Sequence, residues 1–185
     1  MKKIRTLVEC AVLIALATVL SVIKIYEAPL GGSVTLFSMV PIILISFRHG
    51  IQWGLGSGFV YSVIQLLLGL KNVMYVPGAV GIILCILFDY ILPFTLLGLA
   101  GIFKSEKILK ILFAVFFVCV LRYICHVLSG AVVWYELTKA GGWNDLVLQT
   151  SMWTYSLIYN ASYFLPEMII TLIGTPIIFK ITLDK

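Results

Sequence analysis

Long apolar segments follow one another along this chain and are separated by short polar breaks. The breaks are rich in glycine, proline and charged residues, as in the stretches YEAPLGGSVTL and TKAGGWND. A bilayer core about 30 Å thick takes about 20 helical residues at about 1.5 Å each. Because lipid offers no hydrogen-bond partners to an open backbone, such segments are expected to be helical. The chain is therefore predicted to be an integral membrane protein.

The breaks divide the chain into six predicted helices within a single domain, residues 1–185. Their approximate bounds are Arg5–Ile25, Leu36–Phe47, Ile51–Leu70, Ala79–Phe103, Ile108–Leu137 and Leu146–Ile181. The composition agrees, because a soluble domain with 62% hydrophobic and 11% charged residues could not bury so much apolar surface. The predicted fold class is an all-α bundle of six transmembrane helices, with no separate soluble domain.

The distribution of basic residues predicts the orientation of the bundle. With the N-terminus in the cytoplasm, the cytoplasmic segments carry Lys2, Lys3, Arg5, Arg48, Lys104, Lys107, Lys110, Lys180 and Lys185, and the outer segments carry Lys24, Lys71 and Lys139. Cytoplasmic loops of membrane proteins are enriched in Lys and Arg, so both termini are predicted to be cytoplasmic. The bases form no continuous stripe, and the net charge of +5 therefore does not indicate nucleic-acid binding.

A few charged and polar residues lie inside the predicted spans. They are Asp89, Arg122, His126, Asn160 and Glu167. Such groups are costly in hydrocarbon unless they pair or face a cavity, so they indicate a functional site. Asp89 needs a cation, and both Arg122 and a cationic substrate are candidates. The alternative is a purely structural Asp89–Arg122 ion pair. The roles of Glu167, and of Glu9 near the cytoplasmic end of the first helix, stay open.

One face of the predicted fifth helix suits the wall of a ligand site. Arg122, His126, Gly130 and Trp134 recur every four residues and share a slowly rotating face. Gly130 would let a flat ligand approach the backbone. The alternative is packing, with Gly130 as a helix contact and Trp134 as an anchor at the membrane interface.

The predicted sixth helix also has a polar face where a lipid-facing helix would be apolar. The face consists of Ser156, Asn160, Tyr163 and Glu167, with Tyr155 and Tyr159 one turn apart. The Asn160 amide offers a donor and an acceptor, which suits a heteroaromatic ring. The alternative is hydrogen bonding between helices.

Two stripes of small residues indicate close helix packing. In the third helix Gly50, Gly54, Gly58 and Ser62 recur every four residues, and packing inside the chain is the favoured interpretation. In the first helix Ala11 and Ala15 form a small-xxx-small pair, for which internal packing and contact with a partner protein are both open.

Several function classes are not supported by the sequence. It has no phosphate-binding loop, no HExxH motif and no nucleophile arrangement, so neither an enzyme nor a nucleotide-driven pump is expected. The four cysteines, Cys10, Cys85, Cys119 and Cys125, lack metal-ligand spacing and are predicted to be buried free thiols. We expect no cofactor and no metal.

Four stretches resemble a known family. They are APLGGSVTLFSMVPIILISFRHG, LFDYILPFTLLGLAGIF, RYICHVLSGAVVWYE and YSLIYNASYFLPEMIIT. In this order they are similar to the thiamine-specific substrate-binding subunits (S-components) of energy-coupling factor transporters, the YuaJ-like group. The resemblance implies six helices, capture of thiamine from outside, and a separate module of two ATPases and a transmembrane scaffold. It also implies that Ala11 and Ala15 meet that scaffold.

The resemblance further implies a set of pocket residues. Asp89 stands where the family has an acidic residue facing the thiazolium ring, and Tyr90 follows it. His126, Gly130, Trp134, Tyr155 and Asn160 match pocket positions, Tyr75 corresponds to a loop aromatic residue, and Tyr61 stands where some members have tryptophan. Arg122 is expected to hold Asp89 ionised.

The expected protein is a prokaryotic cell-membrane subunit that binds thiamine, with membrane lipid around it. One alternative keeps the scaffold but binds another small vitamin or a thiamine precursor. Another is a self-sufficient proton-coupled carrier that uses Asp89, His126 and Glu167 as a relay.

Overall fold

The computed structural model of this protein describes residues 2–29 and 31–183. The helices in chain order are α1 (Lys2–Val22), α2 (Val40–His49), α3 (Ile51–Leu68), α4 (Leu70–Val73), α5 (Ala79–Phe103), α6 (Ile108–Gly141), α7 (Leu146–Gln149) and α8 (Met152–Leu183). Five of them, α1, α3, α5, α6 and α8, are long and apolar enough to cross a membrane. The predicted membrane-helix architecture is thus confirmed, although five helices rather than six have spanning length.

The short helix α2 is the predicted second helix, shifted toward the C-terminus. Every residue from Val40 to Phe47 is buried, so α2 lies inside the bundle rather than against lipid. Pro41 occupies its first turn, where a missing N–H breaks no helical hydrogen bond.

A short antiparallel hairpin follows α1, where the all-α prediction expected only helix and loop. Strand β1 (Lys24–Glu27) pairs with β2 (Ser33–Thr35), and Tyr26 lies opposite Val34. Gly32 has a φ of +87°, and a Cβ there would enter the ring of Tyr163. Glycine therefore permits both the turn and its close approach to α8.

The predicted sixth helix is divided in two. Thr150 has extended backbone angles, with a φ of −133° and a ψ of 159°, and separates α7 from α8. Its hydroxyl donates back to the carbonyl oxygen of Leu146 at 2.7 Å, a local bond that competes with helix continuation.

Two long helices contain wide turns. Residues Ile86–Ile91 of α5 and Gly130–Trp134 of α6 are π-helical. Such turns shift the faces of a helix on either side of them, and they occur often at functional sites.

The glycine stripe of α3 packs inside the chain, as predicted. A Cβ on Gly54 or Gly58 would meet backbone atoms of α5, and one on Gly98 would meet the backbone of Gly54 and Leu55. Gly50 differs, since it has free space around it and a φ of +91° at the turn between α2 and α3.

The bundle has two distinguishable ends. One carries the β-hairpin and residues 69–78 and 142–151, and we name it the hairpin end. The other carries residues 48–50 and 104–107, together with the start of α1, and we name it the lysine end. There Glu9 forms an ion pair with Arg48, and its carboxylate lies 3.1 Å from His49 Nε2, so these contacts join α1 to α2.

Candidate ligand-binding site

A cavity of about 460 Å³ lies among the helices at the hairpin end. Its size is within the range of about 300–1,000 Å³ typical of small-molecule sites. It is lined by every predicted pocket residue except one: Tyr61, Asp89, Tyr90, His126, Gly130, Trp134, Tyr155 and Asn160, with Arg122 beside them. The intramembrane polar residues therefore face one space, as their cost in lipid implied.

Asp89 is the centre of the polar network in this cavity. One carboxylate oxygen, Oδ2, accepts hydrogen bonds from Ser129 Oγ at 2.6 Å and from the indole N–H of Trp134 at 2.8 Å. Asp89 and Trp134 lie on the two π-helical turns, so this bond joins the two irregular segments. Cys85 Sγ, one turn earlier in α5, also donates to Oδ2 at 3.5 Å. These neutral donors hold the carboxylate in place without neutralising its charge.

His126 lies between Asp89 and Arg122, and this corrects the predicted ion pair. Among the described residues, Asp89 and Arg122 form no direct ion pair. Arg122 Nε donates instead to His126 Nε2 at 3.3 Å, and His126 Nδ1 lies 3.4 Å from Asp89 Oδ1. This arrangement requires a neutral imidazole with its proton on Nδ1, facing the carboxylate. The i, i+4 spacing that put Arg122 and His126 on one face also lets them bond to each other.

The Arg122 guanidinium retains bonding capacity. Its Nη1 atom is buried and has no hydrogen-bond partner within the described part of the chain. Its Cζ atom lies 4.4 Å from the centre of the Phe94 ring and 5.6 Å from that of Phe164. The aromatic rings stabilise the charge, and one edge of the guanidinium remains available to an acceptor in the cavity.

Asn160 and Gly130 join α6 to α8. Asn160 Nδ2 donates to the carbonyl oxygens of His126 at 3.2 Å and Ser156 at 2.9 Å, and its Oδ1 accepts from the Tyr163 hydroxyl. A Cβ on Gly130 would collide with Ser156 Oγ. The alternative interpretation of packing and interhelical bonding thus holds for both residues, which also line the cavity.

Aromatic side chains form much of the remaining wall. Tyr155 and Tyr159 stack with ring centres 5.7 Å apart and planes inclined by 19°. Tyr90 donates to the carbonyl oxygen of Gly69 at 3.1 Å. Tyr61 is fully buried, with its ring edge-on to Phe94. These contacts fix the orientation of the three tyrosine rings.

Tyr75 does not line the cavity. Its side chain is 54% exposed, and its ring packs edge-on against Trp143, with the ring centres 6.2 Å apart. The segment after α4 carries Tyr75 toward the opposite loop of the hairpin end, whereas Lys71 and Asn72, one turn earlier, line the cavity.

Glu167 and Ser129 are two residues whose roles the sequence did not reveal. Glu167 is 2% exposed, and its carboxylate accepts from the Thr35 backbone N–H and, at 2.7 Å, from Thr35 Oγ1. It thereby fastens β2 to α8. Ser129 lies beside Gly130 in the fifth-helix stretch, which could have marked it as a pocket residue. No spacing rule, however, predicted its hydrogen bond to Asp89.

Ala11 and Ala15 lie away from the cavity, on the exposed side of α1. Large apolar side chains surround them, including Val8 at 54% and Val12 at 61% exposure. Internal packing therefore does not explain this pair within the chain. The four cysteines are buried and free, as predicted.

The cavity offers one oriented carboxylate, one guanidinium edge and several aromatic faces. A carboxylate with aromatic neighbours favours a cationic ring, and the mixed donors and acceptors favour a second ring with polar edges. The contacts of Tyr155 with Tyr159 and of Tyr61 with Phe94 hold these rings in the wall of the cavity.

Comparison with known proteins gives consistent matches. A family model described as thiamine transporter protein (Thia_YuaJ) matches residues 7–185. The thiamine transporter ThiT of Bacillus subtilis is 34% identical, with 96% of this chain and 92% of that protein covered. ThiT of Lacticaseibacillus paracasei is 24% identical, with 97% and 89% covered. The solved structure of ThiT from Listeria monocytogenes has the same fold, with a TM-score of 0.76, 22% identity and 100% and 98% coverage.

These matches and the five span-length helices identify a multi-pass cell-membrane protein of a prokaryote, and a transporter rather than an enzyme. The resemblance to the YuaJ-like group is confirmed, and the chain belongs to the thiamine transporter protein family.

Proposed function

We propose that this protein is the substrate-binding membrane subunit of an energy-coupling factor importer and that it captures thiamine from outside the cell. The observation that carries the proposal is the position of Asp89, a carboxylate held by Ser129 and Trp134 at the wall of an aromatic-lined cavity. Thiamine carries a permanently cationic thiazolium ring and a neutral aminopyrimidine, which match the carboxylate and the mixed polar edges.

The geometry supports complementary roles within this proposal. Asp89 Oδ1, whose contact with His126 is long, faces the thiazolium. Trp134 and Tyr155 contact the ring faces, and Arg122 Nη1 donates a hydrogen bond to an acceptor atom of the ligand. Asn160 Oδ1 keeps one lone pair for a polar edge of the ligand, beside the bond that it accepts from Tyr163. Both ring nitrogens of His126 already bond within the protein, so a ligand bond to His126 would replace one of them.

Titration of the purified protein with thiamine, followed by tryptophan fluorescence, tests the ligand. Trp134 is bonded to Asp89, so an occupied site should change its emission. Saturable quenching at sub-micromolar thiamine, with no response to pyridoxine or riboflavin, is the expected result. A stronger response to hydroxymethylpyrimidine or another vitamin would keep the scaffold and reject thiamine.

The exposed side of α1 is the proposed contact with the energising module. Ala11 and Ala15 leave a shallow strip between larger exposed residues, and small residues of this kind let another helix approach closely. Thiamine uptake into proteoliposomes should therefore require the scaffold protein, both ATPases and ATP. Uptake by this chain alone, driven by a pH gradient, would favour the proton-coupled carrier instead.

A further inference from the structure

A second cleft lies at the lysine end, away from the ligand cavity. It has a volume of about 450 Å³ and is lined by Ile102, Phe103, Lys104, Leu109, Lys110 and Phe113. The end of α5 forms one wall and the first turns of α6 form the other. None of these residues lines the cavity that holds Asp89.

The floor of this cleft is apolar and well packed. The Phe103 ring packs edge-on against Phe113, with the ring centres 5.1 Å apart, and against Phe117 at 5.3 Å. Around it Ile102, Leu109 and Phe113 are 57%, 80% and 55% exposed. In a membrane these surfaces contact acyl chains rather than water, and a groove between two helices can hold one chain in a defined position.

The rim of the cleft is strongly basic. Lys104 and Lys110 line the cleft, and Lys107 lies in the loop between its two walls. All three lysines are exposed, and among the residues described none forms an ion pair with a carboxylate, including that of Glu106 in the same loop. Lys104 Nζ donates a long hydrogen bond of 3.5 Å to the carbonyl oxygen of Arg48. The positive charge on this side of the groove is therefore unbalanced within the described chain.

The start of α6 adds further positive potential. Lys107 precedes the helix, and within the described part of the chain no side chain caps the N–H groups of its first turn. The positive end of the helix dipole thus points to the same rim as the lysines. Basic pockets between membrane helices on the cytoplasmic side attract anionic lipid headgroups, because phosphate supplies the missing charge.

We propose that this cleft binds an anionic phospholipid of the surrounding membrane. The phosphate lies at the rim between Lys104 and Lys110, and one acyl chain lies along Phe103, Leu109 and Phe113. The proposal is independent of thiamine binding, since the two sites share no residue.

Native mass spectrometry of the detergent-purified protein tests this site. Phosphatidylglycerol and phosphatidylcholine with identical chains are titrated against wild type, Lys104→Gln/Lys110→Gln, and Lys3→Gln as a control on α1. Each lysine near anionic lipid contributes about 1 kcal/mol to binding, which is about a factor of five in affinity. The double variant should therefore bind phosphatidylglycerol about 30-fold more weakly. Wild type should prefer phosphatidylglycerol, and Lys3→Gln should behave as wild type.

Two further measurements distinguish a phospholipid site from a simple anion site. Leu109→Ser leaves the charge unchanged and should also weaken phosphatidylglycerol binding, since Leu109 is exposed along the groove. Inorganic phosphate should not displace the lipid. The proposal would be overturned if wild type bound the two lipids equally well, or if Lys3→Gln weakened phosphatidylglycerol binding as much as the double variant does. It would also be overturned if Leu109→Ser bound phosphatidylglycerol as wild type does, or if inorganic phosphate displaced the lipid.

Discussion

The two shortest hydrogen bonds to Asp89 come from a different helix and from side chains that carry no compensating charge. Ser129 and Trp134 both donate to Oδ2, and the proton of His126 faces Oδ1. The full positive charge, on Arg122, is one residue further away. A carboxylate oriented by neutral donors keeps its attraction for a cation, whereas direct pairing with a guanidinium would satisfy it internally.

Glu167 gives a separate test at the residue scale. Glu167→Gln keeps one acceptor oxygen for the Thr35 N–H but replaces the other oxygen by an NH2 group, which cannot accept from the Thr35 hydroxyl, and it removes the charge from both bonds. Loss of bonds to a carboxylate costs about 1.5–3 kcal/mol each, so the β-hairpin should detach more often from α8. Hydrogen exchange of residues 24–39, measured by mass spectrometry, should become faster.

The matched control for that measurement is Glu27→Gln. Glu27 lies in the same hairpin, but its ion pair with Lys24 is exposed and contributes little. The rate of hydrogen exchange of residues 24–39 in Glu27→Gln should stay close to that of wild type. Equal exchange in Glu167→Gln and wild type would show that Glu167 does not fasten the hairpin.

At the scale of elements, close packing of α3 on α5 sets the position of the helix that carries Asp89. Gly98→Ala would place a Cβ against the backbone of Gly54 and Leu55, and backbone cannot move aside as a side chain can. Overpacking of this kind costs about 1–3 kcal/mol, so the melting temperature in detergent should fall. Gly56→Ala, on the free side of α3, has nothing within 4 Å and should melt at or slightly above wild type. Equal melting temperatures of Gly98→Ala and Gly56→Ala would contradict this account of the interface between α3 and α5.

The exposed side of α1 is tested by a bulky substitution. Ala11→Trp/Ala15→Trp should fill the strip between the larger side chains and prevent copurification with the scaffold protein and ATPases. Thiamine binding should remain, because neither residue lines the cavity. Ile173→Trp, at a 57% exposed position on α8, is the control for added bulk in lipid. Normal assembly of the double variant would place the module elsewhere.

At the scale of the whole molecule, the predicted orientation puts the ligand cavity on the outside. Glu106→Cys at the lysine end and Lys139→Cys at the hairpin end are both exposed, whereas the native cysteines are buried. A membrane-impermeant maleimide should label Lys139→Cys in intact cells and Glu106→Cys only after permeabilisation. The reverse pattern would invert the bundle and reject capture from outside.

The sequence predicted the features that lipid enforces. Long apolar runs must be helical, and polar residues within them must avoid hydrocarbon, so the helices and most cavity residues could be found without coordinates. Local irregularities of the helices could not be predicted from the sequence. The π-helical turns at Asp89 and Gly130, and the hairpin that depends on Gly32, arise from tertiary contacts. The Asp89–Arg122 pair, one of the two candidates for the cation near Asp89, is not formed, because the cost of an intramembrane charge implies a partner without identifying it and His126 lies between the two side chains.

The most direct test is the thiamine affinity of Asp89→Asn, measured by isothermal titration calorimetry beside wild type. The amide retains the shape but loses the charge that faces the thiazolium, so binding should weaken by about 1–3 kcal/mol. Glu136→Gln, an exposed residue of α6 outside the cavity, serves as the control and should bind as wild type does. Unchanged thiamine affinity in a folded Asp89→Asn variant would contradict the central claim that this carboxylate receives the cationic ring.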